Sequence, residues 1–289
     1  MSNELRPRRS VLYMPSSNER ALEKAKSIPC DALILDLEDA VAPDAKDAAR
    51  ANAVAAAGSG EYGHREITIR CNGLDTPWGA DDVAAAAGSG AASVVIPKVD
   101  SAAYLDEVSA RLDAAGAPAA MTIWAMVETP TAILDIRAIA GHPRVDVLVM
   151  GTNDLAKELR TGAAADRFPL LPHLSLALLG AREAGSVILD GVYNDVRDAD
   201  GFLAEAEQGK LLGFDGKTLV HPSQVEPANA VWAPDDDEVE FSRRVIEAFE
   251  AAEAEGRGVI TVDGRMVENL HVANARRVLA VADAIAALG

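Results

Sequence analysis

At 289 residues, 49% of them apolar, the chain is long enough for two ordinary domains or one large α/β barrel and can bury a sizeable core. Its formal charge of −18 argues against nucleic acid as a partner, because a phosphate-binding protein needs a basic footprint, though a local basic pocket for an anionic ligand stays open. Cys30 and Cys71 have no metal-ligand spacing, the amino terminus has no apolar run of signal length, and no stretch approaches the roughly 18 apolar residues of a membrane span, so a cytoplasmic protein is expected.

In chain order, Val11–Pro15 is the first expected strand, followed by a helix over Glu19–Ser27. That helix carries Arg20 and Lys24 four residues apart on one face, either a solvated face or a place for phosphates. Ala32–Leu37 is the second strand and runs into Glu38 and Asp39. A helix over Ala45–Ala57 follows, closing at the first of two AAGSG repeats (56–60 and 86–90), read as helix ends with glycine in a left-handed cap. Glu66–Arg70 is the third strand, ending on Arg70, and Ser93–Val99 the fourth, with Lys98 near its end. Ile123–Val127 and Val145–Gly151 are the fifth and sixth, Ser186–Leu189 the seventh, and Leu212–Val220 the eighth, closing on His221. Helical patterns fill 79–87, 101–115, 131–140, 173–184 and 198–208.

Eight short buried runs alternating with helices predict parallel strands with right-handed crossovers, an α/β protein of the (β/α)8 TIM-barrel type over residues 1–225. An open doubly wound sheet is the alternative, but no GxGxxG follows the first strand. Residues 226–289 differ in character. A long helix over Glu238–Glu255, a break at Gly256-Arg257-Gly258, an extended piece at Val259–Asp263 and a last helix to Ala287 form a C-terminal extension, either a lid or an oligomer contact.

Charged residues collect after the expected strands: Glu38, Asp39, Arg70, Lys98, Glu128, Asp154 and His221. In a barrel of this kind that face carries the chemistry. Glu128 ends the buried run Ile-Trp-Ala-Met-Val and is expected at the rim, presented and not hidden. Asp154 follows the next buried run in the same way, unless it merely caps a helix starting near Leu155. One or two carboxylates, completed by waters and substrate, are the usual protein share of a Mg²⁺ site. The backbone N–H groups of Gly151–Asp154, at a helix start, suit a small carboxylate.

Seven segments together resemble citrate lyase β-subunit-like proteins of the HpcH/HpaI aldolase superfamily, with its malyl-CoA and citramalyl-CoA lyases. They are RSVLYMP (9–15), ALILDLEDAVAPDAK (32–46), IRCNG (69–73), VVIPKV (94–99), MVETP (126–130), MGTNDLA (150–156) and GFDGK…VHPSQ (213–224). The resemblance implies a TIM barrel, a Mg²⁺ ion, a coenzyme A thioester with a small 2-oxo acid, and trimers, sometimes paired into hexamers. By position it implies Glu128 and Asp154 as metal ligands, with Glu128 also at the substrate, Arg70 as a catalytic and substrate-binding residue, and Glu38 and Asp39 as supports for metal-bound waters. It places Tyr13, Arg20, Lys24, Val220 and His221 at the coenzyme A portion. The tail segment DGRMVE (263–268) resembles the family's DGKMID, whose last residue is an acid/base reaching a neighbouring subunit; Glu268 stands where the family has aspartate. The implied reaction is the reversible Claisen-type cleavage of a 3-hydroxyacyl-CoA such as malyl-, methylmalyl-, citramalyl- or citryl-CoA into an acyl-CoA and a 2-oxo acid. A malyl-CoA-type thioesterase and a non-catalytic acyl-CoA-binding paralogue are the alternatives, with an aldolase on free hydroxy acids a weaker third.

Overall fold

The computed structural model describes residues 6–162, 164, 166–254 and 258–288. Its contacts divide the chain into two compact units, Arg8–Val231 and, from Trp232 onward with the amino-terminal residues up to Pro7, a second.

The first unit is a closed barrel of eight parallel strands in sequential order. These are β1 (Ser10–Pro15), β2 (Ala32–Asp36), β3 (Glu66–Arg70), β4 (Ser93–Ile96), β5 (Thr122–Val127), β6 (Val145–Met150), β7 (Val187–Asp190) and β8 (Gly216–Leu219), with β8 pairing back to β1. The helices around and after it are α1 (Glu19–Ala25), α2 (Lys46–Gly58), α3 (Gly79–Ala87), α4 (Ala102–Ala114), α5 (Pro130–Leu134), α6 (Ile136–Ala140), α7 (Thr152–Leu159), α8 (Leu171–Ala184), α9 (Ala199–Leu212) and α10 (Val225–Trp232). The second unit holds α11 (Asp236–Ala254), a hairpin of β9 (Ile260–Val262) and β10 (Arg265–Val267), and α12 (Asn269–Ala286).

Alternation along each strand decides which side chains fill the barrel. Val11 and Tyr13 of β1, Ala32 and Ile34 of β2, Val95 of β4, Trp124 and Met126 of β5, Val147 and Val149 of β6, and Leu189 of β7 pack together there. Removing each aliphatic side chain of this kind from water contributes about 1.5–3 kcal/mol. The amino-terminal end is closed by Arg8, whose guanidinium lies 5.3 Å from the Trp124 ring and pairs with Glu66 and Asp146, each at 2.7 Å. The same alternation carries Asp36, Arg70 and Glu128 to the opposite, carboxyl-terminal mouth.

Several expectations need correction. β4 stops at Ile96, because Pro97 and Lys98 form a turn in which Lys98 takes φ 49°. Leu212 belongs to the end of α9, and β8 begins only at Gly216. The helix expected over 131–140 is two short helices broken at Asp135. α10 has no counterpart among the expected elements. In the AAGSG repeats the left-handed residues are the second glycines, Gly60 and Gly90; Gly58 ends α2 and Gly88 has φ −99°, so neither is the left-handed cap. Glu255, Gly256 and Arg257 lie outside the described residues, so the expected helix end and the break there are not described.

The second unit has its own apolar core. Val245 and Phe249 of α11, Val262 and Val267 of the hairpin, and Val272 and Ala275 of α12 are buried against one another. Among the described residues no helix is long and apolar enough to cross a membrane.

Candidate active site at the barrel mouth

Glu128 follows β5 directly and is 2% exposed, so the expectation that it is presented at the rim is half wrong: it is at the mouth, but buried. Two backbone features bury it. Gly151, at the end of β6, packs so closely that an added Cβ would overlap the Glu128 side chain. From the other side, the Lys98 backbone N–H donates to Glu128 Oε1 at 2.7 Å. Burial, together with the negative charges of Glu38 and Asp154, pushes the Glu128 carboxyl up to about 7, against the lowering influence of that hydrogen bond and of Arg70.

Asp154 lies in the first turn of α7, whose amino-terminal cap is Gly151, so it does not cap the helix itself. The Gly151 N–H is spent on Val127 O at 3.1 Å, which leaves the helix-start donors to Thr152–Asp154. Among the described residues the Asp154 carboxylate makes no hydrogen bond, and it is close enough to Glu128 and Lys98 to act on both electrostatically.

Arg70 at the end of β3 pairs in register with Asp36 at the end of β2. Its Nε and Nη2 donate to the two Asp36 oxygens at 2.7 and 2.6 Å, a bidentate fork. Its Nη1 lies 2.5 Å from Glu38 Oε2 and 3.6 Å from Asp39 Oδ2. The guanidinium also covers the Tyr13 ring, 4.9 Å from its centroid. Burial raises the Tyr13 phenol well above its usual range, so it stays protonated. Burial also pushes Glu38 up to about 7, opposed by Arg70 and reinforced by Asp39 and Asp36.

The Glu38 loop is held from beneath by Lys46, a buried residue at the start of α2. Its ammonium donates to Leu37 O and Glu38 O, both at 2.7 Å, and to Asn72 Oδ1 at 2.8 Å. Asn72 in turn donates to Asp82 and to Leu37 O, and Asp82 accepts from Arg50. Beside this network a cavity of about 690 Å³ opens over the ends of β2 to β5, lined among others by Glu38, Asp39, Lys98, Trp78 and Tyr104.

The residues expected at a coenzyme A portion lie elsewhere on the same mouth. Arg20 and Lys24 are exposed on α1, and Val220 and His221 are exposed after β8. Because β1 and β8 are neighbours, these two segments follow adjacent strands. Gln224 shapes the second one, its side-chain oxygen accepting from the N–H groups of Val220 and His221. The His221 ring is 2.8 Å from Ser223 Oγ. None of these four residues, nor Tyr13, lines the 690 Å³ cavity. Glu268 belongs to the second unit, at the start of α12, with its backbone N–H donating to His271 Nδ1 at 3.2 Å.

Sequence reasoning missed Asp36 and Lys46 as parts of this site, and missed that Gly151, expected there only for its backbone N–H, packs against Glu128. Asp36 had a signal: it has the inward parity of Ala32 and Ile34 and sits one strand from Arg70. Gly151 had none, because its role is a lack of volume against a residue 23 positions away.

The donor set suits a hard divalent cation. Glu128 and Asp154 offer oxygen, and burial, reinforced by neighbouring carboxylates, raises Glu128 and Glu38, a charge imbalance that such a cation relieves. Among the described residues no group of three or more His, Cys, Asp or Glu side chains forms a metal cage.

Residues 9–222 match the model of the HpcH/HpaI aldolase/citrate lyase family. The chain is 50% identical over 289 residues to a (3S)-malyl-CoA thioesterase of Cereibacter sphaeroides, covering 100% of this chain and 99% of that protein. It is 37% identical over 284 residues to the citrate lyase subunit beta of Escherichia coli, covering 96% and 94%. The crystal structure of the CitE protein of Mycobacterium tuberculosis in complex with magnesium, acetoacetate and coenzyme A matches with a TM-score of 0.77 at 29% identity, over 95% of this chain and 97% of that one. A barrel whose mouth gathers Glu38, Arg70, Glu128 and Asp154, together with a family match spanning its eight strands, leads to one conclusion: the chain belongs to the HpcH/HpaI aldolase/citrate lyase family.

Proposed function

We propose that the protein is a Mg²⁺-dependent enzyme acting on a 3-hydroxyacyl-CoA of the malyl-CoA type, and that it hydrolyses the thioester. The observation that carries this reading is the 50% identity, over the full length of both chains, to a protein named (3S)-malyl-CoA thioesterase. The sequence alone put C–C cleavage first and hydrolysis second; the order is reversed here because the lyase-named relative stands at 37%.

In this reading Glu128 and Asp154 hold the Mg²⁺ ion, which when bound supplies Lewis-acid polarisation of a substrate oxygen. Glu38 and Asp39 flank the site and orient water. Arg70, fixed by Asp36 and facing Glu38 and Asp39 with Nη1, adds a rigid positive charge where a carbonyl oxygen becomes negative. Tyr13, Arg20, Lys24, Val220 and His221 take the coenzyme A portion on the β1/β8 side. Glu268, contributed by a neighbouring copy in a homotrimer or hexamer, is the proposed acid/base. It takes a proton from water as the water oxygen bonds to the thioester carbon. It returns that proton to sulfur as the C–S bond breaks, giving malate and free coenzyme A.

The lyase reading keeps a specific support in the family itself and in the citrate lyase subunit relative. There the same base removes the 3-hydroxyl proton, the C2–C3 bond breaks, and the resulting thioester enolate is protonated to acetyl-CoA beside a 2-oxo acid. Incubation with Mg²⁺ and malyl-, methylmalyl-, citramalyl- and citryl-CoA, with products identified by mass spectrometry, separates the two. Free coenzyme A and malate without acetyl-CoA is the expected result. Acetyl-CoA with glyoxylate establishes the lyase, and tight binding without turnover a non-catalytic acyl-CoA-binding protein.

A further inference from the structure

Glu128 is held by a hydrogen bond from the Lys98 N–H, but among the described residues the Asp154 carboxylate has none. Its position is therefore that of the first turn of α7. Part of what fixes that turn lies at the end of β7. Gly191, the residue after β7, packs so closely on Thr152, the first residue of α7, that an added Cβ would overlap Thr152 Oγ1 and Cγ2. The φ of Gly191 lies outside the left-handed region, so the backbone itself admits a side chain; what requires glycine is the approach to Thr152 and to Met150 O. Beside this contact Asn153 and Asn194 exchange amide hydrogen bonds at 3.2 and 2.8 Å, a second tie between α7 and the segment after β7.

The Gly191 backbone is in turn held by buried charge. Its N–H donates to Asp190 Oδ1 at 2.8 Å, and its carbonyl accepts from the Lys217 ammonium at 2.6 Å. Lys217 gives its other two protons to Asp190 Oδ2 at 3.0 Å and Glu205 Oε1 at 2.8 Å. Arg167, in the connection between α7 and α8, donates Nη1 to Asp190 Oδ1 at 2.7 Å. Asp190 thus holds both the wall against the start of α7 and the chain that leaves its end. Asp190 and Lys217 are fully buried. Stability alone does not account for such a set, since well-packed apolar side chains of similar volume are often as stable or more so. A backbone fixed against the start of α7 gives it a use.

We propose that Asp190 and Lys217 are positioning residues for the metal site: they fix Gly191 against Thr152 and so set where α7 presents Asp154. Mg²⁺ demands near-octahedral ligand geometry, so a displaced carboxylate weakens its binding even when the fold is intact. This inference rests on Asp154 as a Mg²⁺ ligand and holds equally for hydrolysis and for C–C cleavage.

The test is isothermal titration of the full-length protein with Mg²⁺ alone, with the melting temperature of the metal-free protein measured beside it. Gly191→Ala disturbs the contact without altering any charge, and Kd for Mg²⁺ should rise about tenfold to a hundredfold. Thr152→Ala removes the side-chain atoms that the new methyl group meets. Gly191→Ala should therefore cost much less when added to Thr152→Ala than when added to wild type, a coupling that general damage to the fold does not produce. Asp190→Asn with Lys217→Met removes one charge of each sign together with the ammonium's hydrogen bond to Gly191, and should weaken Mg²⁺ binding by a similar factor. Wild-type Mg²⁺ affinity in Gly191→Ala, or in folded protein carrying Asp190→Asn and Lys217→Met, overturns the proposal. So does a Gly191→Ala loss that Thr152→Ala leaves unchanged. Wild-type protein that binds no Mg²⁺ overturns the metal assignment of the proposed function, a result distinct from these.

Discussion

Glu128 combines burial with a charge requirement. Its carboxyl is 2% exposed, pushed up to about 7 by burial and by Glu38 and Asp154, and Glu38 is likewise pushed up to about 7. In the unfolded chain both titrate near 4.5. Between these values the native protein holds more protons than the unfolded one, so unfolding free energy falls as pH rises from about 4.5 to about 7. At about 1.4 kcal/mol per pKa unit the loss is a few kcal/mol. In chelator-treated protein the urea midpoint should drop across this window, and the drop should shrink in Glu128→Gln. Saturating Mg²⁺ at pH 8 should restore the midpoint if Glu128 and Asp154 hold the ion. A midpoint that rises with pH in both proteins contradicts the assignment.

Among the elements, the loop after β2 and the start of α2 act together. Lys46 is the first residue of α2, and its ammonium ties the Leu37 and Glu38 carbonyls to Asn72 after β3. Its position also sets it 5.2 Å from the centre of the Trp78 ring. Lys46→Met keeps the stem packed but leaves Asn72 Oδ1 without its donor, and the Leu37 and Glu38 carbonyls with only Asn72 Nδ2 and the Val41 N–H. The expected cost is about 2–4 kcal/mol in denaturant unfolding. A kcat/KM loss larger than stability explains is also expected, because Glu38 is no longer held beside Arg70. Wild-type stability and activity in Lys46→Met would show that the loop is fixed by other contacts. A second network, away from the carboxylate cluster, illustrates the same economy of buried charge. Lys217 of β8 and Asp190 of β7 are both fully buried, pair at 3.0 Å, and are completed by Glu205 and Arg167. Breaking one member leaves an uncompensated charge, which is why such networks are retained as sets.

At the scale of the whole molecule, the barrel unit contains every candidate site residue except Glu268, which lies in the second unit with a core of its own. The proposed trimer brings Glu268 of one copy to the barrel of another. Glu268→Ala and Glu128→Ala subunits, each inactive alone, should regain activity when mixed under conditions of subunit exchange. The mixture contains interfaces that join an intact metal site to an intact Glu268. Sedimentation should report an assembly larger than a monomer in both variants. Absence of recovery despite demonstrated exchange would confine Glu268 to its own chain or remove it from the reaction.

Periodicity along the chain was enough to establish the barrel. Eight apolar runs of strand length, the first seven each followed by a helical stretch, allow little other than parallel strands with right-handed crossovers, and strand ends such as Glu66–Arg70 coincide with the observed element because a charge marks where the buried core stops. The carboxylates at the mouth were legible for the same reason: Glu128 and Asp154 each close a buried run. Tertiary structure alone decided how those groups are held. The burial of Glu128 depends on Gly151 lacking a side chain and on Lys98 turning its N–H inward, contacts between strands 20 or more residues apart that no local pattern encodes. The pairing of Arg70 with Asp36 depends on the register between β2 and β3, and the clamp by Lys46 on where α2 returns against the barrel. Hydrophobic periodicity specifies which face of each element is buried, whereas the geometry of a site is set by close approach between elements, and that is settled only when they pack.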